Sequence, residues 1–261
     1  MNIKTHCTCR NCGSLTHERF SGALLKYKIK YFDCSSCGYV QTEMPFWLDE
    51  AYKEAINDSD TGIMHRNQMN ARHVLSTMLL LGKLNGILVD CAGGYGILVR
   101  LLRDYGLNAL WSDRYCNNLL AKGFEYSYEK ADLVTAFEAF EHFVNPADEL
   151  DKLLQISPNV LFSTEIIADP APTQDEWWYY GKDHGQHVGF FRIKTLEKLA
   201  RDRGKHLLTN GTSLHLITDR PINSMLWNFL IRINKITPLI VRWKLTSKVW
   251  SDYMLMSGFN K

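Results

Sequence analysis

Apolar and polar residues alternate along much of the chain in blocks that predict strands and helices. Four short, mostly apolar blocks have the length and composition of buried strands, at 87–90, 109–113, 131–137 and 159–166. Three longer blocks repeat apolar residues every three or four positions, which predicts helices at 97–105, 146–156 and 193–203. This alternation of strands and helices predicts a parallel, doubly wound α/β sheet.

Two further apolar runs, 206–209 and 213–218, are separated by Asn210-Gly211. An Asn-Gly pair between such runs favours a hairpin because both residues tolerate the left-handed backbone of a tight turn. We therefore expect an antiparallel strand at or near one edge of the sheet.

Helical patterns flank the predicted sheet on both sides. Residues 46–82 predict two helices around the polar loop 57–62, and residues 221–261 predict a helical tail that Pro238 divides in two. Aromatic and basic residues are mixed in this tail. One interpretation is an amphipathic surface that binds a membrane or glycolipid. The preferred interpretation is a pair of helices that packs on the body of the protein or forms a homodimer face.

The composition is that of a folded globular protein, with 261 residues, 46% hydrophobic, 22% charged and a formal net charge of +2. The small net charge argues against nucleic acid as a partner. No apolar run reaches the roughly 18 residues of a membrane helix, and the N-terminus has no apolar signal core. We therefore expect a cytoplasmic protein without a transmembrane segment.

Four cysteines form two Cys-x-x-Cys pairs near the N-terminus: Cys9, Cys12, Cys34 and Cys37. Two such turns supply a tetrahedral cage of four sulfur atoms, and a closed cage of this kind is typical of a structural Zn²⁺ site. The odd total of seven cysteines also fits a reduced compartment better than a disulfide framework. The alternatives are incidental turns or a redox pair. Cys7 and His6 are spare ligand candidates, and the alternating residues 24–32 predict a strand of a zinc ribbon.

A glycine-rich turn follows the first strand of the predicted sheet. The strand ends at Asp90, and Gly93, Gly94 and Gly96 precede the next helix. Asp113 ends the second strand, 19 positions after Gly94. Such a turn lets a ligand approach the backbone, and an acid about 20 residues later can accept hydrogen bonds from a ribose. The sequence therefore predicts a nucleoside site, the alternative being a tight turn without a ligand.

This order of elements resembles the class I S-adenosylmethionine-dependent methyltransferases. Asp90, Gly94, Gly96 and Asp113 match the acidic residue, the second and third glycines and the ribose-binding acid of that family, and Ala92 stands in place of the first glycine. The segment 138–142 with Pro146 is similar to the family's Glu-His-x-x-x-Pro motif. The resemblance covers about residues 85–220 and implies S-adenosyl-L-methionine as cofactor. The implied cofactor-binding residues are Asp90, Ala92, Gly93, Gly94, Tyr95, Gly96, Asp113, Arg114, Phe137 and Glu138.

A zinc module before such a domain resembles the methyltransferases of sugar and cell-surface glycan biosynthesis. The implied fold is α/β, a Rossmann-like class I methyltransferase sheet with an N-terminal four-cysteine zinc ribbon and a helical C-terminal tail. We place the zinc ribbon at 1–45, a helical cap or linker at 46–84, the cofactor-binding domain at 85–220 and the tail at 221–261. The sugar-binding C-terminal domain of those relatives is not evident here. The implied acceptor is a hydroxyl or carbon of a nucleotide-linked sugar or polysaccharide component.

A hydroxyl acceptor also needs a base, and the aromatic, Gly-punctuated segment 177–191 contains two histidines. We predict His187 as the general base and His184 as the second candidate, because an imidazole can take a proton near neutral pH. Glu138, Glu141 and His142 are the alternatives, unless they form only a hydrogen-bond network at a helix start. The aromatic residues 177–180 suit either a sugar platform or core packing.

Two other functions compete with this interpretation. One is an RNA methyltransferase whose zinc ribbon binds RNA. Two features argue against it: the small net charge, and the sequence Ala-Phe-Glu-Ala at 136–139 in place of an Asn/Asp-Pro-Pro-Tyr/Phe motif. Absence of this motif does not exclude methylation of ribose or of a ring carbon. The other is a zinc-bearing scaffold with a vestigial pocket, against which the intact Asp90, Gly94, Gly96 and Asp113 argue.

Overall fold

The computed structural model describes residues 7–53, 60–127 and 130–258 as a mixed α/β protein. The strands within these ranges are β1 (His17–Leu24), β2 (Tyr27–Asp33), β3 (Val40–Thr42), β4 (Ile87–Cys91), β5 (Asn108–Ser112), β6 (Leu133–Ala136), β7 (Val160–Ser163), β8 (Gly189–Phe190), β9 (His206–Thr209) and β10 (Leu214–Thr218). The α-helices are α1 (Leu48–Ala51), α2 (Ile63–Leu81), α3 (Ile97–Asp104), α4 (Pro146–Ile156), α5 (Ile193–Arg201), α6 (Ser224–Arg232), α7 (Thr237–Val241) and α8 (Val249–Ser257).

The larger sheet has six strands in the order β5-β4-β6-β7-β10-β9. Strand β4 is parallel to both β5 and β6, and Asp90 pairs with Trp111 on one side and Thr135 on the other. Strands β9 and β10 form the antiparallel hairpin that Asn210-Gly211 predicts. The predicted α/β fold is confirmed, because parallel strands of this kind need the helical connections that the sequence places between them.

The smaller sheet has the order β1-β2-β3-β8, and its neighbouring strands are antiparallel. The prediction of one continuous strand over 24–32 is wrong for its first residues, where the chain turns between two strands. Strand β1 ends at Leu24, Leu25 takes a left-handed φ of 53°, and β2 begins at Tyr27. The alternating pattern hid this turn because Leu25 and Lys26 keep the alternation while the backbone reverses.

The chain divides into two compact units. The first comprises Met1–Asn57, Glu138–Lys152 and Phe162–Arg220, and the second comprises Asp58–Phe137, Leu153–Leu161 and Pro221–Lys261. An apolar core in the first unit contains the aromatic side chains of Tyr31, Trp47, Tyr179, Tyr180 and Phe190. The predicted boundaries at 45, 84 and 220 remain predictions. The predicted loop at 57–62 lies partly outside the described residues.

Within the first unit, a buried ion pair connects the strand β2 to the start of α5. Both guanidinium nitrogens of Arg192 donate to the Asp33 carboxylate at 2.8 Å, and Arg192 also donates to the Gly38 carbonyl oxygen at 2.7 Å. Both side chains are almost fully buried. A two-pronged pair of this kind fixes orientation as well as supplying charge compensation.

In the second unit, one face of the tail packs against α2. Trp227, Ile231 and Val241 are buried, and the hydroxyls of Ser76 and Thr237 are 2.8 Å apart. The part of the tail that the structure describes, 221–258, has three helices, not two. Pro238 lies in the first turn of α7, where its missing N–H costs no helical hydrogen bond, so it begins a helix and does not divide two.

Many large apolar side chains of the tail are exposed. They are Met225, Leu226, Phe229, Ile236, Leu239, Ile240, Trp243, Val249, Trp250, Tyr253, Leu255 and Met256. We call this set the exposed tail face. So many large exposed apolar side chains in one segment are typical of an interaction surface. Of the helices that the structure describes, none is both long and apolar enough to cross a membrane.

Candidate functional site

The glycine-rich turn between β4 and α3 has the backbone that close ligand approach requires. Ala92, Gly94 and Gly96 have left-handed φ angles of 61°, 53° and 85°. A Cβ at Gly96 would lie 2.9 Å from the Asn118 Oδ1 atom, and one at Gly93 would lie 2.8 Å from Trp111 Cδ1. The turn therefore has no room for side chains at these two positions.

Ala92 is the exception to the glycine pattern, since an L-residue with a left-handed backbone costs roughly 1–2 kcal/mol. The methyl group of alanine is tolerated there, as the small size of the residue suggests. Strain of this kind is concentrated at functional sites because only the surrounding structure holds it in place.

The Asp113 carboxylate connects the two strands of the nucleoside motif. Its Oδ2 atom accepts the Gly94 N–H at 2.9 Å, and its Oδ1 atom accepts the N–H groups of Tyr115 and Cys116 at 2.7 and 2.8 Å. An ionised carboxylate has about four acceptor positions, so these three bonds leave capacity for a ligand hydroxyl. The sequence predicted the acid and the turn but not the bond between them.

Asp90 is buried in the sheet below this turn. Its Oδ1 atom accepts the Thr135 hydroxyl at 2.6 Å. Burial raises the pKa of Asp90 to about 7, the Thr135 bond opposes the rise, and the charge of Asp113 adds to it. Burial also raises the pKa of the Cys91 thiol to about 12, so this cysteine is protonated at neutral pH, as expected of an inert residue.

Three more residues predicted to bind the cofactor differ in exposure. Tyr95 is partly exposed, Arg114 is exposed with its guanidinium 5.7 Å from the Tyr115 ring centre, and Phe137 is buried. Their part in ligand binding remains a prediction.

Glu138 follows β6 with a left-handed φ of 50°, which a non-glycine residue rarely adopts. Two bonds to one side chain hold it: the Glu138 N–H donates to Ser163 Oγ at 2.8 Å, and that hydroxyl donates to Glu138 Oε1 at 2.5 Å. The carboxylate is thus oriented by its own strained backbone and by the end of β7. This pairing with Ser163 gave no signal in the sequence.

In the first unit, two histidines and a glutamate converge, and we call Glu141, His142 and His187 the histidine–glutamate cluster. One ligand atom from each lies within 4.8 Å of the others. The Nδ1 atom of His187 donates to the Tyr179 carbonyl oxygen at 2.6 Å, and His142 Nδ1 lies 2.9 Å from the Tyr52 hydroxyl. Both contacts engage Nδ1 and leave Nε2 as the second ring nitrogen of each histidine.

Burial explains the electrostatics of the cluster. It lowers the pKa of His187 to about 3, with repulsion from His184 as a second cause, and lowers the pKa of His142 well below its usual value. Burial also raises the pKa of Glu141 to about 8, and repulsion from Glu138 adds to this effect. The imidazoles are therefore neutral and carry free lone pairs.

His184, the second predicted base, is half-buried beside this cluster. Its ring centre lies 4.7 Å from that of His187, and its Nδ1 atom accepts the Gln186 N–H at 3.2 Å. Burial lowers its pKa. The two predicted bases thus lie together, although the sequence did not indicate that Glu141 and His142 join them.

The aromatic segment 177–180 divides between the two predicted roles. Tyr179 and Tyr180 are buried in the core, and Trp177 packs against it, whereas Trp178 is 78% exposed. Core packing is therefore the role of three of these residues, and Trp178 is the one available as a platform.

The four predicted zinc ligands form one cluster, which we call the cysteine cluster. The Sγ atoms of Cys9 and Cys37 are 3.6 Å apart, as are those of Cys12 and Cys34, and all four lie within 4.8 Å of one another. All are free thiols. Sulfur atoms around a tetrahedral Zn²⁺ at 2.3 Å are about 3.8 Å apart, so the cluster fits this ion.

Of the two spare candidates, Cys7 does not join this cluster. Cys7 instead accepts a hydrogen bond from Gln41 Nε2 at 3.3 Å and contacts the Thr16 hydroxyl at 3.0 Å. His6 lies outside the described residues. Arg10, inside the first cysteine pair, donates to the carbonyl oxygens of Thr42 and Val188 at 2.9 and 2.7 Å.

Residues 64–209 match the family model described as "Methyltransferase domain". These residues are more than half of the chain. The chain belongs to this family. Its methyltransferase domain is of the class I S-adenosylmethionine-dependent type, as the Asp90 to Gly96 motif predicts.

Solved structures similar to this methyltransferase include other methyltransferases. An O-methyltransferase family protein from Burkholderia thailandensis is 14% identical, with a TM-score of 0.44, over 60% of this chain and 57% of that one. The Synechocystis magnesium protoporphyrin IX methyltransferase with bound S-adenosylhomocysteine is 14% identical, with a TM-score of 0.45, over 66% and 92%. Human N-acetylserotonin methyltransferase is 12% identical, with a TM-score of 0.43, over 66% and 65%. None of the curated proteins compared matches the sequence.

Proposed function

We propose that this protein transfers a methyl group from S-adenosyl-L-methionine to a hydroxyl or carbon of a small, sugar-like acceptor. The observation that carries the proposal is the bond between the Asp113 carboxylate and the Gly94 N–H, at the carboxyl ends of two parallel strands. Open α/β sheets bind ligands at that edge. The family match supports the same chemistry.

In this proposal the turn 92–96 approaches the cofactor through its backbone, and Asp113 accepts hydrogen bonds from the ribose hydroxyls. The three N–H groups that hold Asp113 keep it in place before the ligand arrives. The sulfonium of S-adenosylmethionine makes its methyl group electrophilic when it is bound. The protein's part is then to align the acceptor with that methyl group and to exclude water.

We propose His187 as the base that takes the acceptor proton, with His184 and Glu138 as the alternatives. The bond from His187 Nδ1 to the Tyr179 carbonyl oxygen supports this role because it leaves the Nε2 lone pair free. A fixed tautomer of this kind is the usual way in which a catalytic imidazole is oriented.

The acceptor class is proposed from two features. The cysteine cluster ahead of the methyltransferase domain resembles the arrangement in enzymes of sugar and glycan biosynthesis. The exposed Trp178 ring offers an apolar face of the kind on which sugars stack. The sugar proposal depends on the cofactor proposal and is narrower than it.

We also propose that the cysteine cluster holds a structural Zn²⁺ ion. The ligands would be Cys9, Cys12, Cys34 and Cys37, with the Asn11 side chain donating to Cys37 Sγ at 3.6 Å. Four sulfur ligands leave no open position, so the ion would stabilise the small sheet without entering the reaction.

For the exposed tail face we propose contact with an anionic membrane surface. Residues 221–261 contain six Lys or Arg residues and one acid, Asp252. That acid is paired with Arg100 and Arg103 at 2.5 and 2.7 Å, so it does not offset the basic residues around the face. Two copies of a positively charged face would repel each other, whereas tryptophan and basic residues suit a lipid interface. A homodimer would be the alternative outcome.

Calorimetric titration with S-adenosylmethionine tests the central proposal. We expect the parent to bind the cofactor, and Asp113→Ala to bind it 10- to 100-fold more weakly, because a hydrogen bond to a charged group contributes about 1.5–3 kcal/mol. Asp148→Ala, which removes an exposed acid from the first turn of α4, is the matched control. Absence of binding by the parent would remove the enzyme proposal.

Transfer assays with labelled cofactor then address acceptor and base. Nucleotide-linked sugars should accept the label, whereas salt-sensitive RNA binding with RNA labelling would favour the alternative function. We expect His187→Gln to lower kcat by about 10²–10⁴-fold at unchanged cofactor affinity. An equal loss in His184→Gln with an active His187→Gln would transfer the role to His184.

A further inference from the structure

The histidine–glutamate cluster contains a buried carboxylate without hydrogen bonds. The Glu141 side chain is fully buried, and neither Oε1 nor Oε2 has a hydrogen-bond partner. The hydroxyls of Thr164 and Tyr179 face this carboxylate and lower its pKa, but neither makes a hydrogen bond of good geometry with it. Because a buried carboxylate without well-formed hydrogen bonds is unfavourable, such an arrangement suits a ligand that binds it directly.

Two imidazoles lie beside this carboxylate. His142 Nε2 lies 3.9 Å from Glu141 Oε1, and a nitrogen of His187 completes a group within 4.8 Å. Ligand atoms at about 2.0–2.1 Å from a tetrahedral ion lie about 3.4 Å from one another. To bind the ion, His142 Nε2 and Glu141 Oε1 would have to approach each other by roughly 0.5 Å. The other pairs of ligand atoms would have to approach by at most about 1.4 Å. Rotation of side chains alone covers such distances.

The surroundings of both histidines have the pattern that metal sites show. A histidine that binds a metal commonly donates its other ring N–H to a carbonyl or similar acceptor, which fixes the tautomer. His187 Nδ1 has the Tyr179 carbonyl oxygen at 2.6 Å, and His142 Nδ1 has the Tyr52 hydroxyl oxygen at 2.9 Å. Both contacts occupy Nδ1, so Nε2 is the ring nitrogen that remains for a metal.

We propose that Glu141, His142 and His187 bind a divalent transition-metal ion such as Zn²⁺, at a site separate from the cysteine cluster. Two imidazoles and one carboxylate are a ligand set for Zn²⁺ or Fe²⁺ that leaves at least one coordination position open. An acceptor hydroxyl or a water molecule could occupy that position.

This site deepens the proposed function and rests on it for its role, although metal binding itself does not. His187 has one lone pair at Nε2, so in the metal-loaded protein it is a ligand and the acceptor proton would go to one of the alternative bases, His184 or Glu138. His187 is the base that we propose only in the metal-free protein.

Metal titration of the whole protein tests the site without any activity measurement. The parent, depleted of metal at the second site by mild chelation, is titrated with Co²⁺ and Zn²⁺, and bound metal is counted by elemental analysis. We expect two equivalents of metal per chain. Co²⁺ bound by the nitrogen and oxygen ligands of the histidine–glutamate cluster should give visible absorption bands. These bands should differ from the thiolate charge-transfer bands of the cysteine cluster. Glu141→Gln and His142→Gln should retain one equivalent only.

Two further variants separate a metal site from general damage. His215→Gln alters another buried histidine, whose two ring nitrogens already contact Thr209 and the Thr164 carbonyl oxygen, and should retain both equivalents. Tyr52→Phe removes only the partner of His142 and should weaken the second equivalent about 10- to 100-fold.

Three outcomes would overturn the inference: one equivalent in the parent, two equivalents in both Glu141→Gln and His142→Gln, or Co²⁺ bands of thiolate character alone. Cofactor binding to the same samples is measured in parallel by calorimetry. In the parent, a single equivalent with intact S-adenosylmethionine binding would refute the metal site alone, whereas absence of cofactor binding with two equivalents present would refute the proposed function alone.

Discussion

The buried Asp90 gives the protein a stability that depends on pH in a predictable direction. Asp90 is 2% exposed, and its pKa rises from the usual 3.8 to about 7. Substitution by asparagine keeps the side-chain size and an oxygen that can accept the Thr135 hydroxyl, which now contacts Asp90 Oδ1 at 2.6 Å. Only the titration is removed, so Asp90→Asn isolates the contribution of this carboxyl group.

The sign follows from the raised pKa. The folded state binds the proton more tightly than the unfolded state, so the contribution to stability is fully present below about pH 3.8 and is lost as pH rises through about 7. The pKa rise from 3.8 to about 7 corresponds to at most about 4 kcal/mol at high pH, of which about 2.5 kcal/mol develops between about pH 5 and pH 8. We expect Asp90→Asn to gain that much stability relative to the parent over this range.

The assay is urea unfolding of parent and variant without cofactor, at about pH 5 and pH 8, followed by circular dichroism and by tryptophan fluorescence. Agreement of the two probes checks that one transition is measured. Asp148→Asn, an exposed acid in α4, is the control and should show no such pH-dependent difference. A variant-minus-parent difference that is the same at both pH values would refute the reasoning.

Three further predictions concern other parts of the molecule. Cys37→Ser should release the cysteine-bound zinc that we propose, detected with a chromophoric chelator, and lower the free energy of unfolding by about 4 kcal/mol or more; a zinc content equal to that of the parent would contradict this. Arg192→Met leaves Asp33 buried without its partner and should cost about 3–5 kcal/mol in urea unfolding, while adding Asp33→Leu should recover part of the loss; equal stability of single and double variants would argue against the pair. Vesicles with anionic lipid should bind the protein in flotation assays, and Trp243→Ser should weaken this binding about tenfold; concentration-dependent dimers in sedimentation velocity without vesicle binding would favour the homodimer.

The local motifs of the site were predictable from sequence. The turn 92–96, Asp113 and the two cysteine pairs depend on spacings of a few residues or on strand order, and the structure brings each set together. Element bounds agree closely where periodicity is strong, as in α4, which spans Pro146–Ile156 as expected. Short-range patterns carry this information because the backbone geometry of a turn or helix depends on adjacent residues.

The histidine–glutamate cluster was not predictable in the same way. The sequence indicates Glu141, His142 and His187 as separate candidates, and His187 lies 45 positions after His142. Their approach depends on tertiary packing, such as the Val188 N–H that donates to the Glu141 carbonyl oxygen at 2.8 Å. A single sequence carries no pairwise signal for such contacts. The turn at Leu25 was missed for a related reason, since it leaves the polar alternation unchanged.

Arg10 links the first cysteine pair to the segment that contains His187 through a hydrogen bond. Its guanidinium binds the carbonyl oxygen of Val188, the next residue after His187, while its own backbone lies between Cys9 and Cys12. Loss of the cysteine-bound ion that we propose would therefore loosen the loop that carries His187. Selective loss of that ion, as in Cys37→Ser, should lower methyl transfer while the affinity for the cofactor stays nearly unchanged, so an ion with no chemical part in the reaction would still influence its rate.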